Sequence, residues 1–425
     1  MPLSRRSLLT AGAGAALAVA SPLTGAATPA GAATRRLPAD ALAAGLTAIT
    51  DAGMVGVFAE VRDGGSRWRG ASGIADLDTG RPMRAHFRHR VGSVTKTFLA
   101  ATLLHLVGEG RLALDDPLGR HLPEYAVDGV TVEMLLNHTS GIGDYDTVLF
   151  TSGKDVERHR YTTFTPGHLV RLGLGEPRTG APGERFAYSN TNYVLAGLIV
   201  ERVTGRSATA EVDRRVIRPL RLHDTCFPGR RTRIAGPHSA AYLPWYDGNL
   251  RDFSVANMSW AWTAGALIST AADLDRFFRA LLGGRLLRPA ELARMRTTVP
   301  FDPEVPEAGG YGLGLMRLAL PGGDHWGHDG VVFGHSTISL HSPDGTRQVT
   351  VGSNVTHYAA PGTPDPIADA TFAFLVTALG GAPAARAATR AATPTVTPPP
   401  GGPALHRPLP TALAGRQPRP AERQP

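Results

Sequence analysis

Apolar positions along residues 37–52 (LPADALAAGLTAITDA) recur on one helical face, which predicts an amphipathic helix. The next stretch, GVFAEVRDGGSRWRGASGIADL, alternates apolar with polar. It places Asp63-Gly64-Gly65 between two runs, the pattern of a β-hairpin. From Ser93, VTKTFLAATLLHLVGEG sets Phe98, Leu99, Leu103, Leu104, Leu106 and Val107 at helical spacing and stops at Gly108 and Gly110. Residues 112–300 carry mainly helical patterns with Gly/Pro-rich connections. Strand patterns return in YGLGLMRLAL, HSTISLHS and RQVTVGSNV, with Pro343-Asp344-Gly345 as a turn, and IADATFAFLVTALG (367–380) reads as a closing helix. Strands at both ends of a helical insertion predict an α+β fold. Its antiparallel sheet would be flanked by helices on both faces and joined to a mostly helical lobe over roughly 112–300.

The two termini depart from this pattern. Arg5-Arg6 precede a short apolar stretch, Leu8 to Ala20, and small-residue cleavage options between about Ala27 and Ala33. Residues 1–33 therefore resemble a twin-arginine export signal and imply a secreted protein; the apolar stretch is too short to span a bilayer. Residues 34–380 form the expected folded domain. Residues 381–425 are Pro, Ala, Thr and Arg with almost no large apolar side chains. Such a tail cannot bury enough surface to offset its ordering entropy and is expected to be disordered. The net charge of +8 is concentrated in these ends: +2 in residues 1–33 and +5 in 381–425, leaving +1 between them. The near-neutral body excludes nucleic acid as the main partner, whereas the basic tail leaves contact with a cell wall open.

The chain holds 42 arginines and two lysines, Lys96 and Lys154. Of the two cations only lysine can lose its proton at accessible pH, so a lysine kept in an arginine-biased chain invites a chemical reading. Lys96 stands three residues after Ser93, one helical turn away on the same face. A desolvated, neutral amine there can activate the serine hydroxyl as a nucleophile. On these two residues alone, a Ser N-cap followed by a solvated lysine is the default reading. Cys226, the single cysteine, excludes an intramolecular disulfide and reads as a small buried hydrophobe. The 15 histidines lack metal-ligand spacing; His325 and His328 are three apart on an apparent Gly-rich turn. No cofactor is expected.

Other strings join the Ser93–Lys96 pair: Tyr188-Ser189-Asn190 ahead of an apolar helix in PGERFAYSNTNYVLAGLIVERVTG, His328-Asp329-Gly330 before an apolar run in YGLGLMRLALPGGDHWGHDGVVFGH, TVEMLLNHTSGI, and RLALDDPLGRHLPEY. Together the ordered S-x-x-K, Y-x-N and H-x-G motifs resemble the penicillin-recognising serine hydrolases, the D-alanyl-D-alanine carboxypeptidase and class C β-lactamase group, from about residue 38 to about 380. The resemblance implies a β-lactamase/transpeptidase-like fold and an acyl-enzyme on Ser93. Lys96 would accept its proton or hold a neighbouring base, and Tyr188, as phenolate or phenol, would relay a proton to the leaving group. Asn190 would bond Lys96 and the substrate amide, and His328 would sit on an electropositive rim, bonded into the Tyr188–Lys96 network. Gly330 would admit close backbone approach, and the N–H groups of Ser93 and Val331 would form the oxyanion hole. His325 is expected on an exposed loop, and Asp144 and Asp146 on the cleft rim. Of Trp260 and Trp262, one would face substrate, with Trp260 taken as the binding residue, and the other the core.

Two positions depart from the family pattern. Asp329 stands where β-lactamases have the Thr of Lys-Thr-Gly, and would repel a substrate carboxylate. Met316 stands where carboxypeptidases place an arginine, and Arg317, one step on, should point to the opposite strand face. The motifs thus imply an exported serine hydrolase, with D-alanyl-D-alanine carboxypeptidase on peptidoglycan peptides as first reading. An esterase or β-lactamase on the same site is the alternative, and a penicillin- or peptidoglycan-binding protein without turnover is the alternative of another class. The substrate would be a small peptide, ester or β-lactam, and no transmembrane span is expected.

Overall fold

A computed structural model describes residues 37–245, 248–357 and 363–381. The expected export signal, and the tail apart from Gly381, lie outside the described residues. Nine strands form one antiparallel sheet: β1 (Gly56–Asp63), β2 (Ser66–Asp76), β3 (Arg81–Pro82), β4 (Val299–Pro300), β5 (Gly309–Tyr311), β6 (Met316–Leu320), β7 (Gly323–Val332), β8 (His335–His341) and β9 (Arg347–Ser353). Their order across the sheet is β3-β2-β1-β9-β8-β7-β6-β5-β4. The first and last strands of the described chain are neighbours within it, where β1 pairs β9 from Val57↔Ser353 to Asp63↔Arg347. The main helices are α1 (Ala39–Asp51), α2 (Val94–Gly108), α3 (Asn190–Thr204), α4 (Ala271–Leu282) and α5 (Pro366–Leu379).

Strand alternation decides what each face buries. On β1, Val57, Ala59 and Val61 join Leu42, Leu46 and Ile49 of α1 and Phe374 and Leu375 of α5 in one core. The intervening Phe58 and Glu60 face the other side, where α4 and α2 lie. There Phe98 of α2 stacks on Phe277 of α4 at 3.7 Å between ring centroids. Short helices between α2 and α4 build the helical lobe over a second core that includes Leu103, Leu135, Leu136, Tyr193, Leu195 and Ile199. Thr131, Ser152, Thr165, Ser207 and Thr270 each cap a helix here, the side chain accepting a backbone N–H from the first turn. Among the described residues no helix is long and apolar enough to cross a membrane.

The hairpin around residues 63–66, the helix from Ser93 and the closing helix fall where the periodicity placed them. The third-motif segment does not. His328-Asp329-Gly330 lies well inside β7, which already begins at Gly323. His325 belongs to the same strand and is 4 % exposed, not a loop residue at the surface.

Candidate active site

Ser93 occupies the N-cap place of α2, yet its hydroxyl makes no capping bond. It faces Lys96 and Tyr188 instead. Lys96 is fully buried, and its Nζ donates to Ser93 Oγ at 3.0 Å, Asn190 Oδ1 at 2.7 Å and the Ala264 carbonyl at 2.8 Å. Tyr188 donates its phenolic hydrogen to Ser93 Oγ at 2.8 Å. Two of the three lysine partners are oxygens that can only accept. A neutral Lys96 therefore spends its two hydrogens on Asn190 and Ala264 and turns its lone pair to Ser93, whose hydroxyl then donates to it. The solvated-lysine alternative is excluded by this burial.

Burial, against the local charges, supports that proton arrangement. Burial lowers Lys96 to about 7, outweighing the carboxylates of Asp144, Asp146 and Asp329 that favour its charged form. Desolvation of the Tyr188 hydroxyl at the cleft floor, with Asp329 and Asp144 adding to it against the Ser93 hydrogen bond, holds the phenol well above its ordinary value, although the side chain as a whole is 37 % exposed. Tyr188 is thus a phenol at neutral pH and not a phenolate.

Asp144 and Asp146 are not rim residues. Both lie behind Asn190, whose Nδ2 donates to Asp144 Oδ2 at 3.0 Å and to Asp146 Oδ2 at 2.9 Å. Burial raises the first carboxyl, and burial followed by the charge of Asp144 raises the second well above the usual range. Because both amide hydrogens are taken, Asn190 has none for a substrate amide. Its oxygen orients Lys96, the part of its expected role that these contacts carry. In sequence these two acids showed only as Asp-Tyr-Asp in a connection, 44 and 46 residues before Asn190.

The opposite wall is the edge of β7. Strand β6 pairs with it only as far as Met316↔Gly327, so residues 328–332 lack a strand neighbour on that side among the described residues. The turn at Gly92-Ser93 fills the space. A Cβ on Gly330 would lie 2.1 Å from Val91 O and 2.6 Å from Ser93 N, and one on Gly92 would lie 2.6 Å from Val331 N. The two-residue loop after β7 is closed by the pair Val332↔His335. Alternation along an antiparallel ladder then turns the Val331 N–H away from β8 and toward this edge. The Ser93 N–H has no acceptor among the described residues. The two amides expected to form an oxyanion hole thus converge across a gap that only glycine at 330 leaves open.

His328 departs from its expected place. It is 1 % exposed, accepts from the Tyr311 hydroxyl at 2.7 Å through Nε2, and donates from Nδ1 to the Asp329 carbonyl at 2.5 Å. Burial, then Lys96, lowers it to about 3, so it is neutral and forms no electropositive rim. It reaches neither Tyr188 nor Lys96 by a hydrogen bond. Trp260 is 7 % exposed and packs edge-on to Phe150 at 4.8 Å and tilted against Phe333 at 4.8 Å. Trp260 is therefore the core residue of the two tryptophans, which corrects its expected substrate-facing role; Trp262 is half-buried.

A family model described as Beta-lactamase matches residues 37–396. A D-stereospecific amidohydrolase from Streptomyces sp. superposes with a TM-score of 0.70 at 40 % sequence identity, over 74 % of this chain and 94 % of that one. The D-amino acid amidase of Ochrobactrum anthropi SV3 complexed with L-phenylalanine amide gives 0.69 at 26 % identity, over 80 % and 97 %. Esterase EstB of Burkholderia gladioli is 38 % identical over 234 residues, 50 % of this chain and 57 % of that protein. The chain spans between about a third and about two thirds of the length of the curated relatives it matches.

Proposed function

The chain belongs to the β-lactamase family of serine hydrolases, and from that premise we propose that it cleaves esters and amides of D-amino acids through an acyl-enzyme on Ser93. In this reading Lys96 accepts the Ser93 proton as Oγ attacks the carbonyl. The N–H groups of Ser93 and Val331 hold the oxyanion. Tyr188 gives its proton to the departing alkoxide or amine and is resupplied from Lys96. A water molecule then repeats the sequence on the acyl-enzyme, the proton passing back through the same groups.

The observation that carries the substrate choice is the charge around the nucleophile. The titratable groups acting on Lys96 are all acids, Asp144, Asp146 and Asp329; of these, Asp329 is ionised above about 6 and is 33 % exposed beside the oxyanion edge. Met316 supplies no cation, and Arg317 is turned to Asp324 at 3.0 Å and to the Pro306 carbonyl at 3.0 Å. A substrate ending in a free carboxylate would meet like charge. An ester or amide would not. The likeness to an amidohydrolase, an amidase and an esterase supports the same choice. Carboxypeptidase activity on D-alanyl-D-alanine peptides is the second reading.

One assay separates the two: kcat/KM for D-phenylalanine amide and p-nitrophenyl butyrate against a diacylated peptide ending in D-Ala-D-Ala. Turnover of the first pair with little of the peptide is expected; the reverse order removes the proposal. In Asp329→Thr the ratio of peptide to amide turnover should rise about tenfold. That corresponds to about 1.4 kcal/mol of relieved repulsion after solvent screening of a partly exposed pair. Burial raises Asp329 to about 6, so it is charged above that pH and neutral below it. The wild-type ratio should therefore also rise as pH falls through about 6, a comparison in which the titration of Lys96 cancels.

A further inference from the structure

His138, in the LLNHTSG string that the chemistry above leaves unused, touches the candidate proton donor from behind. It is fully buried, and its ring stacks on Tyr188 at 4.2 Å between centroids, 29° from parallel. Its carbonyl accepts the Ala187 N–H at 2.8 Å, and its Nδ1 accepts the Ser189 N–H at 3.2 Å. One residue thus holds the backbone on both sides of Tyr188 and the ring between them. Ser140 Oγ donates to Asn192 Oδ1 at 2.7 Å, which turns Asn192 Nδ2 toward His138 Nδ1 at 3.3 Å. With Nδ1 accepting, the ring hydrogen resides on Nε2.

Two local costs fall on this residue. Its φ is +61°, a left-handed conformation that a non-glycine residue rarely adopts. Its Nε2 is buried without a hydrogen-bond partner among the described residues. Left-handed strain and an unpaired buried donor persist where the surroundings over-determine them, and they cluster at functional sites. Here both are spent against the hydroxyl-bearing ring that reaches Ser93.

We infer that His138 is a positioning residue: its ring and its two backbone-directed acceptors clamp residues 187–189 so that the Tyr188 hydroxyl points at Ser93 Oγ. The inference rests on Tyr188 being the proton donor of the proposed reaction. His138 itself exchanges no proton, since burial, with Lys96 and His328 adding to it, keeps the imidazole neutral.

A double-mutant cycle on p-nitrophenyl butyrate hydrolysis tests it. Asparagine tolerates the left-handed backbone and lacks the ring. His138→Asn should lower kcat by about 10- to 100-fold with KM within about twofold, as expected for a misplaced reacting group. In a Tyr188→Phe background, where there is no hydroxyl to aim, the same substitution should change kcat by less than about threefold, because its effect passes through that hydroxyl. Equal losses in both backgrounds would make His138 an independent structural residue and overturn the inference. No loss from Tyr188→Phe alone would instead refute the proton-donor reading, a separate failure. If the asparagine variant unfolds, His138→Gly, which carries a positive φ without strain, takes its place. Unfolding of both assigns the residue to stability alone and also overturns the inference.

Discussion

In a Lys96→Arg variant, acylation of Ser93 is expected to fall by about three orders of magnitude, within the range supplied by a positioned general base, while the protein stays folded. The substitution keeps hydrogen-bond donors for the Asn190 and Ala264 oxygens and makes permanent the charge that Lys96 carries only below about 7. What it removes is the lone pair. A guanidinium has donors only and does not deprotonate in proteins, whereas the amine of Lys96 is poised at about 7 by burial. Since the Asn190 and Ala264 oxygens can only accept, Ser93 is the single partner able to surrender a hydrogen to the amine. The same geometry fixes a pH dependence. Below about 7 Lys96 is protonated and no base faces Ser93, so wild-type kcat/KM should rise with pH through that value. The measurement is the burst of p-nitrophenol from p-nitrophenyl butyrate with the acyl-enzyme weighed by intact mass, alongside circular dichroism of the variant. A folded arginine variant that acylates at the wild-type rate would place the base elsewhere.

The sequence made much of this site legible, for identifiable reasons. Ser93 and Lys96 are three residues apart on one helix, so local geometry alone brings them together. The hairpin at 63–66 and the helices at either end were marked by periodicity and by glycine. What could not be read was whatever depends on distant partners. Asp144 and Asp146 look like any acids in a connection until Asn190, on another element, hydrogen-bonds to both. The segment PGGDHWGHDG reads as a loop because glycine is a poor strand former, yet most of it is β7. Its glycines are there because backbone approaches them: a Cβ on Gly327 would lie 1.8 Å from Ser339 O, as one on Gly330 would crowd Val91. Misreading that stretch as a turn is what put His325 at the surface. The resemblance places His328 on an electropositive rim because it opens the H-x-G motif. Full burial against Tyr311 leaves the imidazole neutral.

Replacing Gly330 by alanine should be nearly as damaging as losing the base, although alanine brings no polar or charged group. The added methyl would stand 2.1 Å from Val91 O and 2.6 Å from Ser93 N, both backbone atoms that cannot swing aside as a side chain would. β7 and the start of α2 must separate, and with them the two N–H groups that face the reacting oxygen. Loss of one such donor costs about 10²- to 10³-fold in kcat, and the forced separation costs about 1–3 kcal/mol of stability as an overpacked contact. Gly92→Ala attacks the same gap from the other side, at a φ of +55° and 2.6 Å from Val331 N, and should give the same phenotype. Gly65→Ala, where nothing lies within 4 Å of the new methyl, is the control for glycine replacement as such. The comparison is kcat, KM and thermal midpoint for the three variants. Folded Gly330→Ala protein with wild-type kcat would show that the Val331 amide takes no part in holding the oxyanion, and the proposed acyl transfer would need another donor to stabilise it.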